Sequence, residues 1–183
     1  MHKILEKLKR DHRNLEKILT ILTNHLDHFF AGSDSNFDLI IELMEYLEAF
    51  ADLGHHRLEN IIFEAAMERM EDHRALFESL GKQHKDLDYL TRTFRQSLEG
   101  VIHETVMSRE ELETQGREYI ALQHLHLDVE EREAFPLLNA GLTKDEWECI
   151  SANMPKYDDP VFGSPDQKRF QNLVAYLYNE KSI

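Results

Sequence analysis

Cysteine is nearly absent from this chain of 183 residues, in which Cys149 is the single example. One thiol forms no internal disulfide, and it cannot build a metal site that needs several thiolates. Chains without disulfides are typical of reducing compartments, so we predict a cytoplasmic protein. The Cys149 side chain itself is expected to act as a small hydrophobic group.

Glycine and proline are also scarce, with seven and four residues. Both interrupt helices, so their scarcity allows long uninterrupted elements. Alternating β-branched runs are absent, whereas Leu, Glu, Lys and Ala dominate, a composition that favours helix. The sequence therefore predicts an all-α protein whose length suits one domain with a sizeable core.

Positive charge is in short supply, because 21 Lys and Arg face 35 Asp and Glu for a formal net charge of -14. This balance argues against sequence-independent nucleic-acid binding, which needs basic residues to displace counterions. It also argues against attachment to an anionic membrane surface. The charged, amphipathic N-terminal segment has no continuous apolar run, so it resembles neither a signal peptide nor a membrane span. We therefore expect no nucleic-acid partner and no membrane association.

Apolar residues at helical spacing predict four long helices, over about 1–30, 36–70, 73–104, and from 109 to a point near Pro136. Ser35 is expected to cap the second helix, and Ser108 with Glu111 has the pattern of a capping box for the fourth. Together the four helices predict a bundle over residues 1–140.

Residues 141–183 are predicted to form short additional helices that pack on the same domain. One of them is expected to begin at Thr143. Another is expected to begin at Ser164, with Pro165 and Gln167 in its first turn.

Two short motifs place a histidine four residues before a glutamate, as His55 with Glu59 and His126 with Glu130. Residues four apart lie on the same face of a helix. Each pair can therefore reach one metal ion together.

A lone histidine stands on the helix before each motif, His12 in the first half of the chain and His84 in the second. His12 precedes His55 by 43 residues, and His84 precedes His126 by 42. If neighbouring helices are antiparallel, the turns between them place all four histidines at one level of the bundle. The repeated pattern predicts a dinuclear site to which paired helices supply matching ligands.

Four imidazoles and two carboxylates without thiolate suit iron or manganese and, less specifically, zinc. We expect Glu59 and Glu130 to bridge two ions. Six protein ligands leave open positions on octahedral ions, which indicates binding of a small molecule such as dioxygen or nitric oxide. Imidazole and carboxylate ligands can stabilise both ferrous and ferric iron, so redox cycling is also possible.

His56 is the main rival for the role of His55, because it stands next to it and three residues before Glu59. His73 is more simply explained as a core or capping residue. The remaining histidines are expected to be exposed, with His124 as a possible outer partner: His2, His25, His28, His103 and His124.

Other polar residues near the motifs have alternative interpretations. Asp88 is an alternative ligand, and Tyr119 is a candidate for the lining of a pocket, although packing alone would also explain it. Glu131 and Glu133 could accept hydrogen bonds from ligating imidazoles, but a solvated acidic face explains them more simply.

The repeated motifs, the Phe135-Pro136 that follows the second, and the lone His12 and His84 resemble the hemerythrin-like, HHE cation-binding domains. The resemblance covers roughly residues 1–140. The Asp-Pro-Val-Phe-Gly stretch at 159–163 is similar to the tail of a bacterial subgroup of that family.

This resemblance implies a non-haem centre of two iron ions inside an up-down-up-down four-helix bundle. The ligands that it implies are His12, His55, Glu59, His84, His126 and Glu130. Oxygen-carrying members have a second histidine one turn from the lone histidine of the third helix, where this chain has Leu80 and Asp88. The chain is therefore more similar to four-histidine, two-carboxylate members that are linked with nitric oxide response and repair of iron centres.

Three functional hypotheses follow. The first is a di-iron protein that binds or senses dioxygen or nitric oxide, or handles iron. The second is a di-iron enzyme that reduces nitric oxide or peroxide, and the third is a metal-free helical interaction protein.

Overall fold

The computed structural model describes residues 1–33, 36–103, 107–164, 166 and 168–180. These residues form helices and connecting loops, and no strand occurs among them. The α-helices are α1 (Lys3–Phe30), α2 (Phe37–Tyr46), α3 (His56–Arg69), α4 (Arg74–Ile102), α5 (Arg109–Val129), α6 (Phe135–Gly141), α7 (Lys144–Asn153) and α8 (Gln171–Glu180). Two π-helical segments, Leu47–His55 and Glu130–Ala134, and a 3₁₀ turn, Glu71–His73, lie between them.

Four long helical columns make up the bundle. The first is α1, the second joins α2 to α3 through a π-helical segment, the third is α4, and the fourth joins α5 to α6 through the other π-helical segment. The helix α1 contacts α2 and α5, and α4 contacts α3 and α5, so the columns close a ring in chain order. The all-α, up-down-up-down bundle is therefore confirmed.

Both π-helical segments border the histidine–glutamate motifs. The first ends at His55, and the second begins at Glu130. Such segments are rare and concentrate at functional sites. Sequence periodicity predicted regular helix at both places, because one extra residue in a turn hardly changes an apolar stripe.

Pro136 does not end the fourth column, contrary to the prediction, because α6 continues to Gly141. Proline lacks an N–H group and its ring clashes with the preceding turn of a regular α-helix. Here it stands in the first turn after the π-helical segment, where the wider turn accommodates both defects.

A polar layer divides the buried core into two apolar clusters. Leu8 and Leu80 belong to one cluster, whereas Leu15 and Leu87 belong to the other. Between the two leucines of each helix lies a buried histidine, His12 in α1 and His84 in α4. The apolar clusters thus hold the helices together on both sides of a level reserved for polar side chains.

Polar caps begin several helices. The side chain of Asn36 accepts the N–H of Leu39 at the start of α2, whereas Ser35, the predicted cap, lies outside the described residues. Ser108 caps α5 by accepting the N–H of Glu111. Thr143 and Glu146 form a reciprocal capping box on α7. The last helix begins at Gln171 and not, as predicted, at Ser164; Pro165 and Gln167 lie outside the described residues.

The segment after Gly141 packs against the bundle along two helices. The helix α7 contacts α3, and α8 contacts α2. Trp147 is buried in one apolar cluster and stacks on His2. Glu42 accepts the N–H of Leu173 at 2.9 Å and so links the second column to α8.

Within the described part of the chain, none of the helices combines the length and apolarity that crossing a membrane requires.

Candidate metal centre

The structure brings the six predicted residues together in the polar layer. Each is at most 4% exposed. A first group of four side chains each offers one ligand atom, and these atoms all lie within 4.8 Å of one another. The group consists of His12, His55, Glu59 and Glu130. A second group has the same property and consists of His56, Glu59, His84 and His126.

The imidazoles approach one another in pairs. His12 Nε2 lies 3.1 Å from His55 Nε2, and His84 Nε2 lies 3.0 Å from His126 Nε2. Two nitrogens bound to one ion at about 2.1 Å and at right angles would be about 3.0 Å apart. We call His12 and His55 the first pair, and His84 and His126 the second pair; both have the spacing of adjacent ligands.

Glu59 presents a different oxygen to each pair. Its Oε1 lies 3.1 Å from His55 Nε2, and its Oε2 lies 3.4 Å from His84 Nε2. Glu130 also presents a different oxygen to each pair. Its Oε2 lies 3.3 Å from His12 Nε2, and its Oε1 lies 3.3 Å from His126 Nε2. Both carboxylates therefore lie between the two pairs.

All four oxygens of these two carboxylates are buried, and none has a hydrogen-bond donor among the residues that the structure describes. Burying an ionised carboxylate without such a partner is costly unless it is paired with a cation or coordinates a metal. The oxygens are surrounded by imidazole nitrogens, which are themselves metal ligands. The arrangement fits the requirements of a cation with nitrogen and oxygen ligands.

An oxygen atom faces the outer ring nitrogen, Nδ1, of each paired imidazole. In the first pair these outer oxygens belong to carboxylates: Glu131 Oε1 is 3.2 Å from His12 Nδ1, and Asp11 Oδ2 is 3.5 Å from His55 Nδ1. An acceptor at Nδ1 keeps a proton there and turns the lone pair of Nε2 inwards.

In the second pair the outer oxygens belong to carboxamides. His84 Nδ1 donates to Asn60 Oδ1 at 2.7 Å, and His126 Nδ1 donates to Gln83 Oε1 at 3.0 Å. This arrangement of an imidazole between an inner site and an outer acceptor is almost universal among metal-ligating histidines.

Each of these four outer residues is the chain neighbour of a candidate ligand. Asp11 precedes His12 but faces His55, for example, and Asn60 follows Glu59 but faces His84. Successive residues are about 100° apart on a helix, so the neighbour of an inward residue points towards the adjacent helix. Sequence reasoning missed Asp11, Asn60 and Gln83, although a polar residue next to a candidate ligand is a signal that could have found them.

His56 does not compete with His55, because both are buried in the polar layer. Its ring stacks on that of His84 at a centroid distance of 4.3 Å and is nearly perpendicular to that of His126. The π-helical segment ends between the two neighbours, at His55. The structure therefore places both His55 and His56 among the candidate ligands, and which of them binds a metal stays a prediction.

The buried groups shift one another's pKa values. Burial opposes protonation of His12, but nearby glutamates, Glu130 foremost, raise its pKa well above the usual value. Burial also opposes protonation of His84, but Glu130 and Glu59 raise its pKa to about 9. Burial dominates at His126 and lowers its pKa to about 3. Burial and Glu59 oppose ionisation of Glu130, yet the surrounding histidines lower its pKa to about 2.

The structure also places the other polar residues near the motifs. Glu131 contacts His12 instead of belonging only to a solvated face, whereas Glu133 is exposed as expected. Asp88 is partly exposed and pairs with Arg92 at 2.8 Å, away from the polar layer. Tyr119 is buried in an apolar cluster, where burial and then Asp52 raise its pKa well above the usual value.

Some expectations about isolated residues were wrong. His73 is exposed in the 3₁₀ turn, not buried, and makes no side-chain cap to α4. Cys149 is exposed rather than packed as a small hydrophobic group, because it lies on the outer face of α7. His28, His103 and His124 are exposed, as predicted, whereas His2 and His25 are partly buried.

Comparison with known proteins gives one match. The family model described as hemerythrin HHE cation binding domain matches residues 3–138. No curated protein matches the chain. No solved structure matches it either.

Proposed function

The chain belongs to the hemerythrin HHE cation-binding domain family, and from this premise we propose that it is a non-haem di-iron protein that binds or senses dioxygen or nitric oxide, or handles iron. The ligands in this proposal are His12, His55, Glu59, His84, His126 and Glu130. Manganese or zinc is the alternative metal, because neither is excluded by imidazole and carboxylate ligands.

One observation carries the proposal. Two pairs of Nε2 atoms lie on either side of two buried carboxylates, and each carboxylate presents one oxygen to each pair. One metal ion would leave half of these oxygens without a partner. Two ions bridged by Glu59 and Glu130 would satisfy all four oxygens and all four nitrogens.

Iron ions at this place would supply a redox-active centre with positions free for a small exogenous ligand. The protein's own part is to hold the imidazoles in one orientation through their outer oxygens and to exclude bulk water with the apolar clusters. A surface cleft of about 360 Å³ reaches Asn60 and Phe63, which both contact the His84 ring. The cleft has room for a diatomic molecule, which Asn60 and Phe63 would separate from the centre.

The remaining parts of the proposal concern the setting of the protein. The net charge of -14 supports the absence of a nucleic-acid partner and of binding to an anionic membrane. The single thiol supports a reducing, cytoplasmic location. Dioxygen or nitric oxide is the proposed partner of the metal centre.

The proposal is tested by the metal content and the absorption spectrum of the full chain purified without oxygen. We expect two equivalents of iron after reconstitution and a spectral change on addition of dioxygen or nitric oxide. Reversal of that change on removal of the gas supports binding or sensing. Consumption of nitric oxide or peroxide over many cycles would instead establish the enzymatic hypothesis.

A double variant His126→Ala, Glu130→Ala tests the ligand assignment, and His124→Ala, Glu133→Ala is its matched control on the same column, because both control residues are exposed. The His126→Ala, Glu130→Ala variant should bind at most one equivalent of metal, and the control variant should bind two. Less than half an equivalent of any of the three metals in the unmodified protein would refute the metal proposal. A first variant that still holds two ions would refute the ligand assignment.

A further inference from the structure

We propose that His56 is a seventh protein ligand of the centre and joins the second pair as its third imidazole, oriented by Asp52. The inference rests on the proposed function, since it concerns a metal bound by the second pair. It extends the ligand set beyond the two repeated motifs and makes the two metal positions unequal.

His56 lies among the candidate ligands of the second pair. His56 is 2% exposed, and one of its ring nitrogens lies within 4.8 Å of ligand atoms of Glu59, His84 and His126. Its ring lies flat against His84 and edge-on to His126, so it occupies the same polar layer. None of the other histidines outside the six predicted ligands is buried in the part of the chain that the structure describes.

The ring nitrogens of His56 are buried and lack hydrogen bonds. Nε2 of His56 has no hydrogen-bond partner among the described residues, and the contact of Nδ1 with Asp52 Oδ1 at 3.3 Å falls short of hydrogen-bond geometry. A buried polar atom without a partner costs roughly 1–3 kcal/mol. A histidine retained for packing alone would be expected to form at least one hydrogen bond, whereas a metal ligand leaves its lone pair free for the ion.

A buried carboxylate, that of Asp52, lies beside the His56 ring. Asp52 Oδ1 lies 3.3 Å from His56 Nδ1, so this imidazole has an outer oxygen like the four in the two pairs. The Asp52 side chain is 2% exposed, and its other oxygen is buried without a hydrogen-bond donor among the described residues. With Nδ1 facing Asp52, Nε2 is the atom left to bind the metal.

The backbone explains how two adjacent histidines serve the same centre. Residues Leu47–His55 are π-helical, and regular α-helix resumes at His56. The irregular turn allows His55 to face the first pair's side of the layer while His56 faces the second pair's side. The consequence is a centre with two imidazoles at one position and three at the other.

Counting the bound imidazoles tests the inference without any substitution. In the full chain loaded with cobalt(II), each ligating imidazole with a proton on Nδ1 should give one strongly shifted, exchangeable proton resonance in the NMR spectrum. We expect five such resonances. Four resonances from a protein that holds two cobalt ions would overturn the inference and leave the proposed function standing, whereas a protein that holds no cobalt and no iron would overturn both.

Stepwise metal binding by variants gives a second test. His56→Ala should bind the first ion as the unmodified protein does but should bind the second roughly 10-fold or more weakly. Added imidazole should restore the second ion to His56→Ala and should not restore it to Glu130→Ala. The matched control is His124→Ala, an exposed histidine that should change neither affinity.

Circular dichroism of each metal-free variant separates a ligand effect from a failure to fold. If His56→Ala loses helix, His56→Gln replaces it, because the longer amide better preserves the volume of the site. Two ions bound to a folded variant with unchanged affinities would refute the role of His56.

Discussion

The two imidazole pairs are almost equally spaced in the chain but have different chemistry behind them. The outer oxygens of the first pair, His12 and His55, belong to carboxylates. Those of the second pair, His84 and His126, belong to carboxamides. The repeat in the sequence is therefore a repeat of the inner ligands alone, and the surroundings of the two positions differ.

This difference has a physical consequence for bound metal. A carboxylate is a stronger hydrogen-bond acceptor than an amide, and a stronger acceptor at Nδ1 makes Nε2 a better electron donor. We therefore expect the first pair to donate more strongly to a cation per imidazole. His56 compensates at the second pair by adding one more imidazole.

Glu59→Gln should abolish the contrast by emptying both positions. Glu59 presents one oxygen to each pair, so its loss removes a negative ligand from both ions. The loss of affinity should exceed the roughly 10–100-fold typical of an outer partner. Elemental analysis after gel filtration measures it, with the exposed Glu64→Gln on the same helix as control. Retention of both ions would show that Glu59 is not shared.

Asp11→Asn should weaken one position selectively, because it converts a carboxylate behind the first pair into a carboxamide of the same size. We expect roughly 10-fold weaker binding of one ion and little change in the other. The reciprocal Asn60→Asp should strengthen the position of the second pair. Competition with a graded series of chelators resolves the two affinities, and equal changes in both would contradict the contrast.

Raising the pH from 6.5 to 9 should lower the stability of the metal-free protein and raise its affinity for metal. Carboxylates raise the pKa of His84 to about 9 despite its burial. Its contribution to the stability of the metal-free fold is complete below about pH 6.5 and is lost as the pH rises through 9. Metal needs the deprotonated ring, so its affinity should rise over the same window.

Thermal unfolding of both forms across that window measures this effect. The Tm of the metal-free protein should fall by several degrees, and the gap between the manganese-loaded and metal-free protein should widen. A gap that narrows with rising pH would mean that protons do not compete with metal at these imidazoles.

Tyr157→Phe should have the smallest effect, and only at the first pair. The Tyr157 hydroxyl donates to Asp11 Oδ2 at 2.9 Å, and its ring packs on Gly54, where an added Cβ would approach within 3.0 Å of it. Loss of one hydrogen bond costs about 1 kcal/mol, so the affinity of the first position should fall less than 10-fold. Tyr89→Phe, at an exposed tyrosine, is the control, and a larger effect at the second position would contradict the assignment.

The bundle was predictable because its signals are local and repeated. Apolar residues recur on one face of each long helix, and polar caps such as Ser108 and Thr143 mark where helices begin. The convergence of His12, His55, His84 and His126 was predictable for the same reason, since helical rise and short connections determine their level. Their role as ligands stays a prediction.

The wide turns and the outer oxygens were not predictable in this way. A π-helical turn depends on packing around the segment, and the periodicity of Leu47–His55 looks like that of an ordinary helix. The partner of an outer oxygen lies on another helix, so Asp11 reaches His55 only once the crossing of the two helices is known. The sequence offers the same two interpretations for Glu131 and Glu133, an outer acceptor or a solvated face, because nothing local distinguishes them.

The sequence by itself determined the helical class, the ring of four columns and the level at which six ligand-type side chains meet, because all three follow from helical periodicity and spacing. Only the tertiary structure decided that His55 and His56 both enter the polar layer and that the two pairs have different support. These features depend on the local register of the helices and on the angle between neighbours. Register and angle are set by the packing of the whole core, in which each residue's position depends on many distant ones.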